Sequence, residues 1–250
     1  MKKKIFFNMK KTVIENNNDF ELFFEEHSEE IRQRIFQSFL LTCIIIIISF
    51  INIDLIIKLL QKPVSSLKFF QLSPGEYFIS TIEISLFFGL LISSPMIVNQ
   101  LIFFLLPGLN EKEKLIIPFI IISSIILFFI SLIFSYFVLI PITLGFFIDY
   151  GKNSIEPLLS YSQYISFISV IFLSNGILFQ IPIIQILISL LDIISGKKML
   201  QNWKNIIIIA TIISAIFTPS ADPLTQILLA SVLITLYFGG AFISILFESI

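Results

Sequence analysis

Six runs of almost uninterrupted apolar residues constrain this chain more than any other feature. The first, 36–57, has CIIIIISFI at its heart. The hydrocarbon core of a bilayer is about 30 Å thick, and a helix crosses it with about 20 apolar residues. Only 13% of the chain is charged, against about 25% in a soluble domain. Most of that charge lies between the runs. The expected class is therefore all-α, a polytopic membrane protein.

The other runs differ in length and in where proline falls. The second, 77–106, is about 45 Å long at a helical rise, and Pro95 is expected to kink it. The third, 115–140, is expected to end at Pro141. The fourth, 161–191, is again overlong and is broken by Pro182. The fifth, 205–217, spans only about 20 Å. The sixth, 224–247, contains Thr225, Gln226, Thr235 and Gly239–Gly240, so its purely apolar part is also short. The expected organisation is a tail at 1–35 with an amphipathic helix, then one six-helix domain at 36–247.

Lys and Arg orient such a chain. Six spans put Lys2, Lys3, Lys4, Lys10, Lys11, Arg32, Arg34, Lys112, Lys114, Lys197, Lys198 and Lys204 on one side, and Lys58, Lys62, Lys68 and Lys152 on the other. Twelve against four places both termini on the cytoplasmic side or its equivalent. The basic start, MKKKIFFNMKK, reads as neither a secretory signal nor a transit peptide. The chain is thus expected to be made in the compartment whose membrane it enters. Heavy use of Ile, Phe, Asn and Lys suggests an AT-rich genome, organellar or bacterial.

Catalytic constellations are missing: there is no nucleophile elbow, phosphate loop or HExxH. One cysteine, Cys43, and one histidine, His27, leave no disulfide and no zinc-type cluster. Neither an enzyme nor a cofactor or metal is expected. Segment 19–34, DFELFFEEHSEEIRQR, has helical apolar spacing and carries Glu26, Glu30 and Arg34 in one i,i+4 row. A solvated face with pairs of a few tenths of a kcal/mol is its ordinary reading. Within the spans, Gln180 either occupies backbone groups freed by Pro182 or offers a polar contact to a partner helix. Glu83 either reaches headgroups or pairs with Lys58, Lys62 or Lys68.

HSEEIRQRI resembles the HLxELRxRL entry motif of the TatC family, the multispanning receptor of twin-arginine protein translocation. SPGEYF and GLLISSPMIVNQLIFFLLPGL are similar to that family's second span and first cytoplasmic loop, and SGKKMLQNW and TPSADPLTQ are most similar to its plastid and cyanobacterial branch. FQIPIIQ resembles its F-[EQ]-x-P element, and FTPSADPLTQILLA its last loop, with Asp222, and sixth helix. The resemblance implies six helices in a cupped arrangement, with short fifth and sixth helices. It also implies docking of Arg-Arg signal peptides of folded cargo on the cytoplasmic or stromal face. Transport would draw on the proton gradient and on TatA- and TatB-type single-span partners, in a larger complex that includes further copies of this chain.

Carried over by motif, Glu30 and Glu113 are the two carboxylates of the signal-peptide site, with Glu111 the alternative to Glu113. His27 and Arg32 of the entry motif and Phe104, the aromatic before the loop, join them. Gln180 falls at the partner-contacting position of the fourth helix. Ser28 stands where Leu is usual, and Glu83 where Lys is frequent. The expected location is a plastid thylakoid membrane or a bacterial plasma membrane. A small-solute or ion secondary transporter is the rival reading, because overlong, proline-broken runs resemble interrupted transporter helices.

Overall fold

The computed structural model describes residues 28–64, 69–105, 114–151, 159–218 and 222–248. The first helix, α1, described over Ser28–Ile51, runs from the charged segment into the first apolar run. Asn52 interrupts it, with its side-chain amide turned back to the Ile48 carbonyl at 2.9 Å. A separate helix, α2 (Ile53–Gln61), follows, so the first run is a span plus an amphipathic turn rather than one helix to 57. Strand β1 (Phe69–Phe70) leads to α3 (Glu76–Leu105).

Pro95 lies inside α3 without ending it. A proline deprives the carbonyl four residues back of its donor. Here that carbonyl belongs to Leu91, and the Ser94 hydroxyl takes it at 2.8 Å. The third run corrects the expectation that Pro141 ends it. Helix α4 (Ile117–Phe134) passes through a π-helical turn, Ser135–Leu139, into α5 (Ile140–Gly151). The wider turn shifts the bonding register just before the proline, so the helix absorbs Pro141 and continues. Ser135 Oγ bonds the Ser131 carbonyl at 2.8 Å within the same stretch.

Strand β2 (Leu159–Ser160) precedes α6 (Tyr161–Leu178) and α7 (Ile181–Leu190), and these two helices are parted by a turn at Phe179–Gln180. Pro182 near the start of α7 needs no N–H bond there, which is why this proline does break its run. A short α8 (Gly196–Gln201) leads to α9 (Trp203–Phe217), 15 residues long, and to α10 (Pro223–Glu248), 26 residues long. The fifth run is short as expected. The sixth is not: its polar residues lie within one long helix. Five helices are long and apolar enough to cross a membrane, and α9 is a shorter apolar helix.

Small residues set the helix approaches. A Cβ on Gly240 would lie 2.8 Å from Pro182 Cα, so α10 presses its backbone against α7 there. Its neighbour Gly239 faces open space. On the opposite flank a Cβ on Gly89 of α3 would meet Ile46 Cα of α1 at 2.8 Å. Serine and threonine fill the rest of these seams: Thr42, Ser49, Ser80, Ser85, Ser93, Ser124, Ser131 and Ser135 are all buried. Large apolar side chains, including Ile35, Phe39, Ile47 and Ile51 of α1, point outward. Lipid is as apolar as leucine, so close backbone contact and hydroxyl bonds, not hydrophobicity, hold such helices together.

At the end of the bundle away from Ser28, two loops are fastened together. Phe69 and Phe70 pair in parallel with Leu159 and Ser160. Glu76 receives the Ser160 hydroxyl at 2.8 Å, the Ser162 N–H at 3.1 Å and the N–H groups of Leu72 and Ser73. The Tyr164 hydroxyl donates to the Leu60 carbonyl at 2.6 Å, and Phe69 packs on the Tyr164 ring at 5.0 Å. Charge-assisted bonds of this kind are stronger than neutral ones. This cap holds the far ends of α2, α3 and α6 in register.

Candidate functional site

At the Ser28 end, α1 and α3 meet through charge. The Arg34 guanidinium bonds Glu30 Oε1 through Nε at 3.0 Å and through Nη2 at 2.6 Å. The same guanidinium donates from Nη1 to Gln100 Oε1 of α3 at 3.1 Å. It also lies 6.0 Å from the centroid of the Phe103 ring, within reach of a cation–π contact. The helical turn brings residues 30 and 34 together, and the final turns of α3 supply the other two. Side-chain exposure is 27% for Arg34 and 34% for Glu30. The pair is thus half-sheltered between two helices.

A second pair on the same turn behaves differently. Arg32 reaches Glu29 at 3.4 Å, and their side chains are 77% and 62% exposed. Such surface pairs contribute little to stability. Arg32 therefore presents its charge outward from the end of α1.

Phe104 is half-buried in the last turn of α3, adjacent to Phe103. His27 and both loop acids, Glu111 and Glu113, lie outside the described residues. Gln100 and Phe103 were not anticipated, and Arg34 was anticipated only as part of a row. The signal was the polar pair Asn99–Gln100 in an otherwise apolar run, four residues before the two phenylalanines.

The remaining candidates lie elsewhere in the bundle. Gln180 is 5% exposed and turned inward. Ser124 Oγ donates to its Oε1 at 2.7 Å, and its Nε2 donates to the Ser124 carbonyl at 3.1 Å. Its amide thus ties the break between α6 and α7 to α4, not to backbone groups freed by Pro182. Nearby, Asn175 Nδ2 donates to Ser135 Oγ at 2.7 Å, so two amides of the fourth run hold the middle of the third. Glu83 accepts the Ser166 hydroxyl at 2.7 Å, which joins α3 to α6. Neither Lys58 nor Lys62 pairs with it among the described residues. Asp222 is 4% exposed and caps α10 at the far end. It accepts the Thr225 N–H at 2.8 Å and the Thr225 hydroxyl, and Thr225 in turn meets Thr143 Oγ1 at 2.9 Å. Cap and hydroxyl bond together fix α10 against α5.

Among the described residues, no group of three or more His, Cys, Asp or Glu side chains is placed to hold a metal. The Ser28 end instead brings together the Glu30 carboxylate, its Arg34 partner and the Phe103 ring.

The chain is similar throughout to proteins of one kind. The model of the Sec-independent protein translocase protein (TatC) family matches residues 26–231. An uncharacterized tatC-like protein ycf43 of Trieres chinensis is 52% identical over 229 residues, 92% of this chain and 87% of that protein. The Sec-independent protein translocase protein TatC of Synechocystis sp. is 41% identical over 223 residues, 89% of this chain and 88% of that one. The chloroplastic TATC of Pisum sativum is 42% identical over 226 residues, 90% of this chain and 64% of its own length. A crystal structure of the twin arginine translocase receptor TatC superposes with a TM-score of 0.77 at 31% identity, covering 87% of this chain and 99% of that one. The chain belongs to the TatC family of Sec-independent protein translocase proteins.

Proposed function

We propose that this chain is the signal-peptide receptor and core subunit of a twin-arginine translocase, a non-enzymatic multi-pass protein of a thylakoid or plasma membrane. The observation that supports it most is the agreement, at a TM-score of 0.77, with a crystal structure of the twin arginine translocase receptor TatC. Relatives from a cyanobacterium and a chloroplast favour the thylakoid. In this reading α9 is the short fifth of six spans, and both termini face the cytoplasm or stroma.

Cargo docks at the Ser28 end. Two adjacent arginines present two planar guanidinium groups, each matched to a carboxylate in a bidentate pair. Glu30 supplies one acceptor and Glu113, in the segment that follows α3, the other. Arg34 and Gln100 hold the Glu30 turn against α3, so the carboxylate is positioned before cargo arrives. His27 and Arg32 flank that turn, and Phe104 with Phe103 receives the apolar residues after the arginines. At mid-membrane, a TatA- or TatB-type helix meets Ile177 and Ile184, each 49% exposed. It engages Gln180 by exchange with Ser124.

The test is binding of a fluorescent signal peptide to the purified chain. An Arg-Arg peptide should bind at least tenfold more tightly than its Lys-Lys counterpart, because Lys offers no bidentate fork. Equal binding of the two contradicts the reading.

A further inference from the structure

A pocket of about 630 Å³ opens at the other end of the bundle, between α2, α3, α4 and α6. Its volume is within the range of small-molecule sites. The roof is one face of α2, made by Leu55, Lys58, Leu59 and Lys62 at i, i+3, i+4 and i+7. The opposite face of α2 carries Ile56, Ile57 and Leu60 into the core, at 8%, 6% and 2% exposure. The helix therefore has no freedom to roll its lysines away. The Tyr136 hydroxyl fastens the roof to the π-turn by donating to the Leu59 carbonyl at 3.1 Å. Below the roof the walls are apolar, with Phe88 and Ile92 of α3, Ile133 of α4 and Phe172 of α6.

The two lysines stand one turn apart at the mouth of this apolar space, and neither is in an ion pair among the described residues. Glu83, the acid expected to meet them, is engaged by Ser166. A cationic rim over an apolar slot is complementary to an anion that carries a hydrocarbon chain. We propose that the pocket binds one anionic membrane lipid, its acyl chain between α3 and α4 and its charged headgroup between Lys58 and Lys62. A neutral lipid fills the slot but leaves both ammonium groups unmatched. An Arg-Arg peptide is repelled by them. Basic pockets between spans select acidic headgroups in this way. The assignment stands on the pocket alone and is independent of the cargo-docking reading.

Native mass spectrometry of the detergent-purified full chain tests it, with phosphatidylglycerol, phosphatidylcholine of identical acyl chains, and glycerol phosphate as probes. Phosphatidylglycerol should be retained about tenfold over phosphatidylcholine, and glycerol phosphate should not be retained. The Lys58→Gln/Lys62→Gln double variant should reduce phosphatidylglycerol to the phosphatidylcholine level with signal-peptide binding unchanged. Ile92→Trp, which fills the slot from its half-exposed wall, should lower retention of both lipids. Equal retention of the two lipids by the parent chain overturns the proposal. So does undiminished phosphatidylglycerol retention in the double variant, or a photo-crosslink from a signal peptide to Leu55 or Ile92.

Discussion

Arg34 bridges Glu30 of its own helix to Gln100, 66 residues further along the chain. One guanidinium thereby binds α1 to the final turns of α3. Because the pair is only about a third exposed, it is screened less by solvent than the open Arg32–Glu29 pair. Its main consequence is positional: it decides where the Glu30 carboxylate stands.

Arg34→Ala should therefore weaken binding of an Arg-Arg signal peptide about three- to tenfold, while the protein still inserts. Gln100→Ala should act in the same direction and more weakly, since it removes one of three guanidinium bonds. Fluorescence anisotropy with purified variants measures both. Unchanged affinity in Arg34→Ala would show that the bridge is structural only.

The Gln180–Ser124 pair predicts a coupling. Each of Gln180→Leu and Ser124→Ala should lower stability by about 1 kcal/mol, the usual scale for a hydrogen bond between membrane helices. The double variant should cost hardly more than Gln180→Leu alone, because that change already removes the hydroxyl bond that Ser124→Ala deletes. Thermal unfolding in detergent gives the cycle, and strictly additive losses would contradict the assignment.

Two adjacent glycines should respond oppositely. Gly240→Val forces a side chain into Pro182 and should separate α7 from α10, with a large fall in melting temperature. Gly239→Ala enters open space and should not lower it. Similar melting of the two variants would refute the close approach at Gly240.

Glu76 ties the cap at the far end, receiving donors from both of its loops. Glu76→Gln removes the charge that strengthens these bonds. The melting temperature should fall while signal-peptide affinity at the opposite end is unchanged. Loss of binding in that variant would mean that the two ends are coupled.

Periodicity and the bilayer's thickness were enough to read a six-run helical membrane chain from residues alone, including a short fifth helix and a break at Pro182. Three prolines fall in or at the ends of long apolar runs and behave differently in the fold. Pro182 opens a helix, whereas Pro95 and Pro141 are absorbed by a serine hydroxyl and by a π-turn. Neither compensation has a local pattern strong enough to read in advance. Continuity at Pro95 leaves the fourth run, at Pro182, as the interrupted one of the two on which the transporter reading rested. At the candidate site, the family motif pointed to Glu30. Only the packing of α1 on α3 brings Arg34, Gln100 and Phe103 to it, since contacts across 66 residues leave no trace in local spacing.

The central claim is that Glu30 and Glu113 together receive the two arginines of a cargo signal peptide. A photo-crosslinker placed beside the arginines of a precursor tests it most directly, in membranes carrying the parent chain, Glu30→Ala, Glu113→Ala or both. The account predicts crosslinks to α1 and to the loop after α3 in the parent. These should be reduced in each single variant and lost in the double, with the protein still inserted. Undiminished crosslinking in the double variant would contradict it.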